Sequence, residues 1–232
     1  MVSRGAVAQL GEHKAGSLGV RGSTPLSSTK LTPVPSCANF LLFGVTAVEL
    51  ALLFVLTPTF TITDWIYVLQ NVLVLGIALM RRPPAVQDRS LAAGVAVVAA
   101  YAYPYGQMLY LRRVPGEPAW PEAGLVLVTV AACLSFSTLV SLGRWFGVRP
   151  AVRGLVTRGP YRLIRHPMYL AYMLADFGYN LQEWNSGTVL LVLTGWASLF
   201  YRIYAEERVL SNDPGWPNYA AMVRHRLVPG VW

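Results

Sequence analysis

The feature that most constrains this chain is a succession of apolar runs, each about as long as a helix that crosses a bilayer. A helix needs roughly 20 apolar residues to span the hydrocarbon, and a lone strand would leave its backbone groups unsatisfied in lipid. Charged residues make up only 13% of the chain, about half of what a soluble domain usually carries. The pattern therefore predicts an all-α, polytopic integral membrane bundle. The first four predicted helices cover residues 37–56, 62–80, 91–111 and 124–142.

Two further apolar runs follow a basic stretch and are predicted to form a helical hairpin. They cover residues 168–181 and 187–204 and are joined by residues 182–186. The first run is short for a full crossing. Trp184, in the joining segment, is the kind of residue that favours a membrane–water interface.

The beginning of the chain differs from the rest. Residues 1–35 are rich in Gly, Ser, Thr and Pro and show no periodicity, so we expect a disordered tail. Residues 7–30 also resemble the conceptual translation of a transfer-RNA gene, a known annotation artefact. The remaining chain divides into N-terminal transmembrane helices, residues 36–143, and a region that carries most of the polar residues, residues 144–232.

The positive charge of the chain has an uneven distribution along the predicted spans. With the N-terminus inside, seventeen of the nineteen Lys and Arg residues fall on one side of the membrane. Without the first 30 residues the ratio is thirteen to two. Cytoplasmic loops carry such an excess, so we expect both termini to be cytoplasmic, in a cell membrane or endomembrane. The net charge of +8 is thus explained by topology, and no nucleic-acid partner is expected.

Polar residues cluster in two places, and both lie on the same side in this topology. In the first, Pro167 suits the first turn of a helix, which puts His166 at the helix N-cap, where backbone N–H groups can hold an anion. An alternative is a turn whose arginines contact the phosphates of membrane lipids. In the second, Arg202 and Glu206 are four residues apart and share one helix face. Charges at the end of an apolar helix are costly and often functional.

Together the two clusters resemble the isoprenylcysteine carboxyl methyltransferase family, which is related to the phospholipid methyltransferases. The resemblance covers residues 144–232. It rests on RGLVTRGPYRLIRHPMY from residue 153, on RIYAEERVL from residue 202, on GWPNY from residue 215, and on a final LVPG. In place of Arg153 the eukaryotic enzymes of that family have histidine.

The resemblance implies a membrane enzyme that uses S-adenosylmethionine, bound in a C-terminal pocket that faces the cytoplasm. Glu206 would bind the cofactor, and Arg202 would face the substrate as the catalytic residue. The other implied cofactor contacts are Arg153, Gly154, Leu155, Val156, Tyr161, His166, Pro167, Met168 and Tyr169.

The implied acceptor is a lipophilic small molecule or lipidated substrate, and carboxyl O-methylation is the favoured reaction. Two alternatives stay open: a phospholipid amine N-methyltransferase and a membrane oxidoreductase of the steroid-reductase kind that uses NADPH. The reductases usually have asparagine in the position of Met168. Cys37 and Cys133 have no CxxC partner, so no metal site is predicted.

Overall fold

The computed structural model describes residues 37–56, 59–80, 84 and 86–232. The predicted tail, residues 1–35, lies outside the described residues. The described chain is mostly helical, which confirms the all-α prediction, and two consecutive helices occupy the region of the predicted C-terminal hairpin. The helices are α1 (Cys37–Leu56), α2 (Ile62–Met80), α3 (Leu91–Arg113), α4 (Pro121–Leu142), α5 (Pro167–Gln182), α6 (Ser186–Leu210) and α7 (Trp216–Met222).

Short elements supplement these helices. Strand β1 (Val86–Gln87) pairs antiparallel with β2 (Ala151–Val152). Single 3-10 turns occupy Gly143–Trp145 and Gly159–Arg162. The strand pair attaches the connection between α2 and α3 to the polar segment that follows α4.

Within the described part of the chain, three stretches are long and apolar enough to cross a membrane: Ile62–Met80, Pro121–Trp145 and Ser186–Leu210. In α3 the apolar stretch is shorter, Leu91–Pro104, because tyrosines, Gln107 and two arginines occupy its second half. Helix α5 has only 16 residues. The three long stretches mark the protein as an integral membrane protein.

The helices begin where their residues can satisfy free backbone N–H groups. The Ser90 side chain accepts a hydrogen bond from the N–H of Ala93 at the start of α3. Asn185 accepts one from Gly187 at the start of α6, with a distance of 2.8 Å. Helices α4 and α5 begin with proline, which lacks the N–H that would otherwise be unpaired.

Two packed helix pairs position the polar segment. Helix α4 lies along α5, and α3 lies along α6, while α2 contacts both α1 and α4. At one end of the bundle the backbones of Glu117 and Trp184 exchange hydrogen bonds of 2.9 and 2.8 Å, which joins the loop before α4 to the hairpin loop. The other end holds the core cluster of Tyr169, Leu199, Ile203 and Leu227.

Candidate functional site

A cavity of about 130 Å³ lies between the segment after α4, the first turns of α5 and the last turns of α6. We call it the first cavity. It brings together Arg202 and all the predicted cofactor contacts except Pro167, which is fully buried as the first residue of α5. Residues that were not among the predicted contacts complete its wall, among them Tyr101, Trp145, Arg149 and Tyr172, together with Trp216 and Tyr219 of the GWPNY motif.

The stretch around Gly154 closes against Trp145. Gly154 has a φ of +134°, a conformation that residues with a side chain rarely adopt. A Cβ atom at this position would collide with the indole of Trp145. Glycine here therefore allows the backbone to pass directly over the tryptophan that lines the cavity.

Glu206 presents its carboxylate to the first cavity and is held by two aromatic residues of α5 and its N-cap. The hydroxyl of Tyr169 donates a hydrogen bond to Oε1 of Glu206, with a distance of 2.6 Å. Nδ1 of His166 lies 3.7 Å from Oε2. A carboxylate can accept about four hydrogen bonds, so Glu206 retains acceptor capacity toward a ligand.

The neighbouring Glu207 joins the site to the C-terminal segment. It receives Nη1 of Arg165 at 3.0 Å, Nε2 of His166 at 3.2 Å and Nε of Arg226 at 2.9 Å. The backbone N–H groups of Arg165 and His166 also donate to the carbonyls of His225 and Arg226, each at 2.9 Å. Glu207 was not among the predicted site residues, although it is adjacent to Glu206 in the motif.

Two buried tyrosines, Tyr161 and Tyr219, line the first cavity and are joined by a hydrogen bond. The hydroxyl of Tyr219 donates a hydrogen bond to the carbonyl of Tyr161, with a distance of 2.9 Å. Burial raises the pKa of Tyr219 to about 12 and holds the pKa of Tyr161 well above its ordinary value. Both phenols are therefore neutral at physiological pH, and Tyr219 remains a hydrogen-bond donor.

Arg202 is a buried cation that forms no salt bridge among the described residues, although Glu206, one helical turn later, interacts with it electrostatically. Its side chain is 5% exposed, its Nη2 donates to the carbonyl of Val148 at 2.8 Å, and its guanidinium lies 5.2 Å from the ring centre of Tyr169. Among the described residues, no acidic group lies within salt-bridge distance of Arg202, and its buried Nε has no hydrogen-bond partner. The unpaired Nε leaves Arg202 with capacity to donate a further hydrogen bond.

A second cavity of about 220 Å³ lies on the other side of Arg202, within the helical bundle. Residues of α1 to α6 form its wall, and most of that wall is apolar. Three residues line both cavities: Tyr101, Tyr172 and Arg202. Arg202 thus contributes to the walls of both cavities.

The first cavity has donor and acceptor groups that suit a ligand carrying both a positive and a negative charge. Nε of Arg165 is buried and has no hydrogen-bond partner within the described chain, so it can bind a carboxylate. Glu206 can accept from an ammonium group or from hydroxyls. The rings of Trp145 and Tyr169 offer faces that attract cations. The described residues contain no group of three His, Cys, Asp or Glu side chains that could hold a metal ion.

The part of the chain that contains this site is similar to known proteins. Residues 121–213 match the family model of the phospholipid methyltransferases, from the start of α4 to just beyond α6. This confirms the resemblance of the C-terminal region to membrane methyltransferases.

Among curated proteins, the chain is similar to protein-S-isoprenylcysteine O-methyltransferase A of Arabidopsis thaliana. The two are 28% identical over 95 residues, which is 38% of this chain and 48% of the relative. The match thus spans about half the length of that relative.

Proposed function

We propose that the protein transfers a methyl group from S-adenosylmethionine to the carboxylate of a lipophilic acceptor in the membrane. Among the relatives, the reaction is most like the O-methylation of isoprenylcysteine. The observation that carries the proposal is the position of Arg202, which is buried, lines both cavities and has an Nε without a hydrogen-bond partner in the described chain.

On the cofactor side, the first cavity would hold S-adenosylmethionine, which supplies a methyl group on a sulfonium centre. Glu206 would accept hydrogen bonds from its ammonium or ribose hydroxyls, and Arg165 would hold its carboxylate. The aromatic wall, which includes Trp145 and Tyr169, attracts positive charge and keeps water away from the donor.

On the acceptor side, a carboxylate is already ionised at neutral pH, so no general base is required. The guanidinium of Arg202 has a planar fork that matches two carboxylate oxygens. Holding the acceptor in line with the methyl group, about 3 Å away, supplies much of the rate of such a reaction. The role of Arg202 is therefore to hold and orient the carboxylate.

The electrostatics of Arg202 also bear on the rival reactions. A guanidinium holds a carboxylate acceptor through two charge-assisted hydrogen bonds and gains less from an amine, so Arg202 favours carboxyl O-methylation over phospholipid N-methylation. We further propose that the first cavity and both termini lie on the cytoplasmic side, because thirteen Lys and Arg residues beyond residue 30 are predicted to lie on that side.

The first experiment compares binding of radiolabelled S-adenosylmethionine and NADPH to the purified protein in detergent. The proposal expects S-adenosylmethionine to bind, and binding of NADPH in its place would overturn it. A second assay follows transfer of a labelled methyl group to a prenylcysteine analogue and to phosphatidylethanolamine. Methylation of the amine and not of the carboxylate would contradict the proposal.

The variant Arg202→Lys tests the assigned role, because it keeps the charge and loses the planar fork. We expect it to bind S-adenosylmethionine like the wild type and to show a large fall in turnover of the carboxylate acceptor. Arg208→Lys is the matched control, since Arg208 lies on the same helix and is exposed. Equal turnover in the two variants would show that Arg202 has no part in the reaction.

A further inference from the structure

The second cavity contains polar groups that a pure hydrocarbon tail would not need. Asp176, in the middle of α5, lines this cavity. Tyr103 and Trp196 both donate hydrogen bonds to its Oδ2, with distances of 2.6 and 2.9 Å. An ionisable group at membrane depth is costly and usually functional. Two hydrogen bonds to one oxygen leave Asp176 able to accept further donors.

Two more polar side chains of the same cavity have buried atoms without hydrogen-bond partners. Gln107 is 4% exposed and Thr46 is 1% exposed. Within the described chain, neither Nε2 of Gln107 nor Oγ1 of Thr46 has a partner, and both residues line the second cavity. Buried polar groups in folded proteins are nearly always paired, so these atoms indicate a polar group on whatever occupies the cavity.

The distance of Asp176 from Arg202 along the bundle follows from its position on α5. Tyr169, which contacts Arg202, precedes Asp176 by seven residues on α5, so a rise of 1.5 Å per residue separates them by roughly 10 Å. Tyr172 lies between them and lines both cavities. The second cavity therefore extends from the guanidinium of Arg202 to the carboxylate of Asp176.

Helix α3 supplies Tyr103 at the depth of Asp176 and Gln107 one turn further along. Tyr103 and Gln107 are four residues apart and share one helix face. Tyr103 can lie flat against α6 because Gly195 faces it: a Cβ atom at Gly195 would come within 2.6 Å of the tyrosine ring. The placement of the hydroxyl of Tyr103 beside Asp176 thus depends on a glycine in the facing helix.

We propose that the second cavity binds a lipophilic carboxylic acid that carries a neutral hydroxyl or amide group partway along its body. This inference rests on the proposed function for the assignment of the carboxylate to Arg202. A hydroxyl or an amide has both a donor and an acceptor, so it can donate to Asp176 and accept from Gln107. A plain hydrocarbon tail would leave both side chains of the protein without these bonds.

The test measures binding to the full chain in lipid nanodiscs. The probes are palmitic acid, a palmitic acid hydroxylated near the middle of its chain, and one hydroxylated on its terminal carbon. Since one neutral hydrogen bond changes affinity several-fold, the wild type should bind the mid-chain hydroxy acid about fivefold more tightly than the other two. Gln107→Leu and Asp176→Asn should reduce this preference, and Gln87→Leu, in β1 outside the cavity, should retain it.

The outcomes separate this inference from the proposed function. Equal affinity of the wild type for the three acids, or a preference that survives in both cavity variants, would overturn the inference alone. Gln107→Leu is informative even if Asp176→Asn fails to fold, because it removes an unpaired polar group. Arg202→Met should weaken all three acids alike. If it leaves their affinities unchanged, the carboxylate does not bind at Arg202 and the proposed function fails.

Discussion

Gly124 of α4 and Gly178 of α5 face each other so closely that neither position has room for a side chain. A Cβ atom at Gly178 would lie 2.8 Å from the carbonyl oxygen of Gly124, and one at Gly124 would lie 2.5 Å from the carbonyl oxygen of Gly178. The two backbones are therefore in direct contact. This is a common arrangement in membranes, where small residues allow helices to approach closely.

Gly178→Ala should destabilise the protein, because the added methyl group must push α4 and α5 apart. Overpacking of this kind usually costs about 1–3 kcal/mol. The apparent unfolding temperature in detergent measures the effect. Gly76→Ala is the matched control: Gly76 lies in α2 with nothing near its Cβ position, so it should be neutral or slightly stabilising. Equal changes in the two variants would show that the contact does not matter.

Substitutions of the two adjacent glutamates should have different effects, one on ligand affinity and the other on stability. Glu206→Gln keeps the shape and removes the charge, so affinity for S-adenosylmethionine should fall by roughly 1.5–3 kcal/mol, as expected for a charge-assisted hydrogen bond. Isothermal titration measures this loss.

Glu207→Gln should mainly lower the unfolding temperature, because it weakens the bonds to Arg165 and Arg226 that secure the C-terminal segment. Loss of such bonds typically costs about 1–3 kcal/mol. If Glu207→Gln abolished cofactor binding and left stability unchanged, Glu207 would be a ligand contact and not a support.

Tyr219→Phe removes the hydrogen bond to the carbonyl of Tyr161 and should destabilise the protein by about 0.5–1.5 kcal/mol at neutral pH. The folded pKa of Tyr219, about 12, is above that of an unfolded tyrosine, near 10. Its contribution is thus fully present below pH 10 and is lost as the pH rises toward 12. Unfolding curves of both proteins from pH 8 upward should converge over that interval. A constant difference would contradict the assignment.

Cysteine labelling tests the orientation. In a background without Cys37 and Cys133, a cysteine at Thr157 should react only with a reagent added from the cytoplasmic side. A cysteine at Ser186, in the hairpin turn, should react only from the opposite side. Both positions are exposed, so access is set by the membrane. The reverse pattern would place the first cavity on the other face.

The long helices could be predicted from the sequence because an apolar run of spanning length has few alternatives in lipid. The predicted ends of the first two helices agree with α1 and α2. Helix α7 and the pair of two-residue strands were not predicted. They are too short to show a period, and the strands form only because distant segments of the chain meet.

The candidate site was partly predictable, since the residues around His166 and Arg202 lie in compact motifs. The second cavity was not. Asp176 and Tyr103 are 73 positions apart, and no local pattern says that α3 and α5 face each other at that depth. Glu207 was missed because neighbouring residues on a helix point in different directions. Only the fold shows that His166, the N-cap of α5, lies next to Glu207.

Because Arg202, Tyr101 and Tyr172 form part of the walls of both cavities, a ligand in one cavity that moves these side chains would alter binding in the other. Any ligand that shifts the guanidinium on one side changes the affinity on the other side, and the reverse effect has the same factor. With the proposed cofactor and acceptor as the two ligands, a single buried side chain would couple a water-soluble molecule to one dissolved in lipid, although the two reach it from different phases.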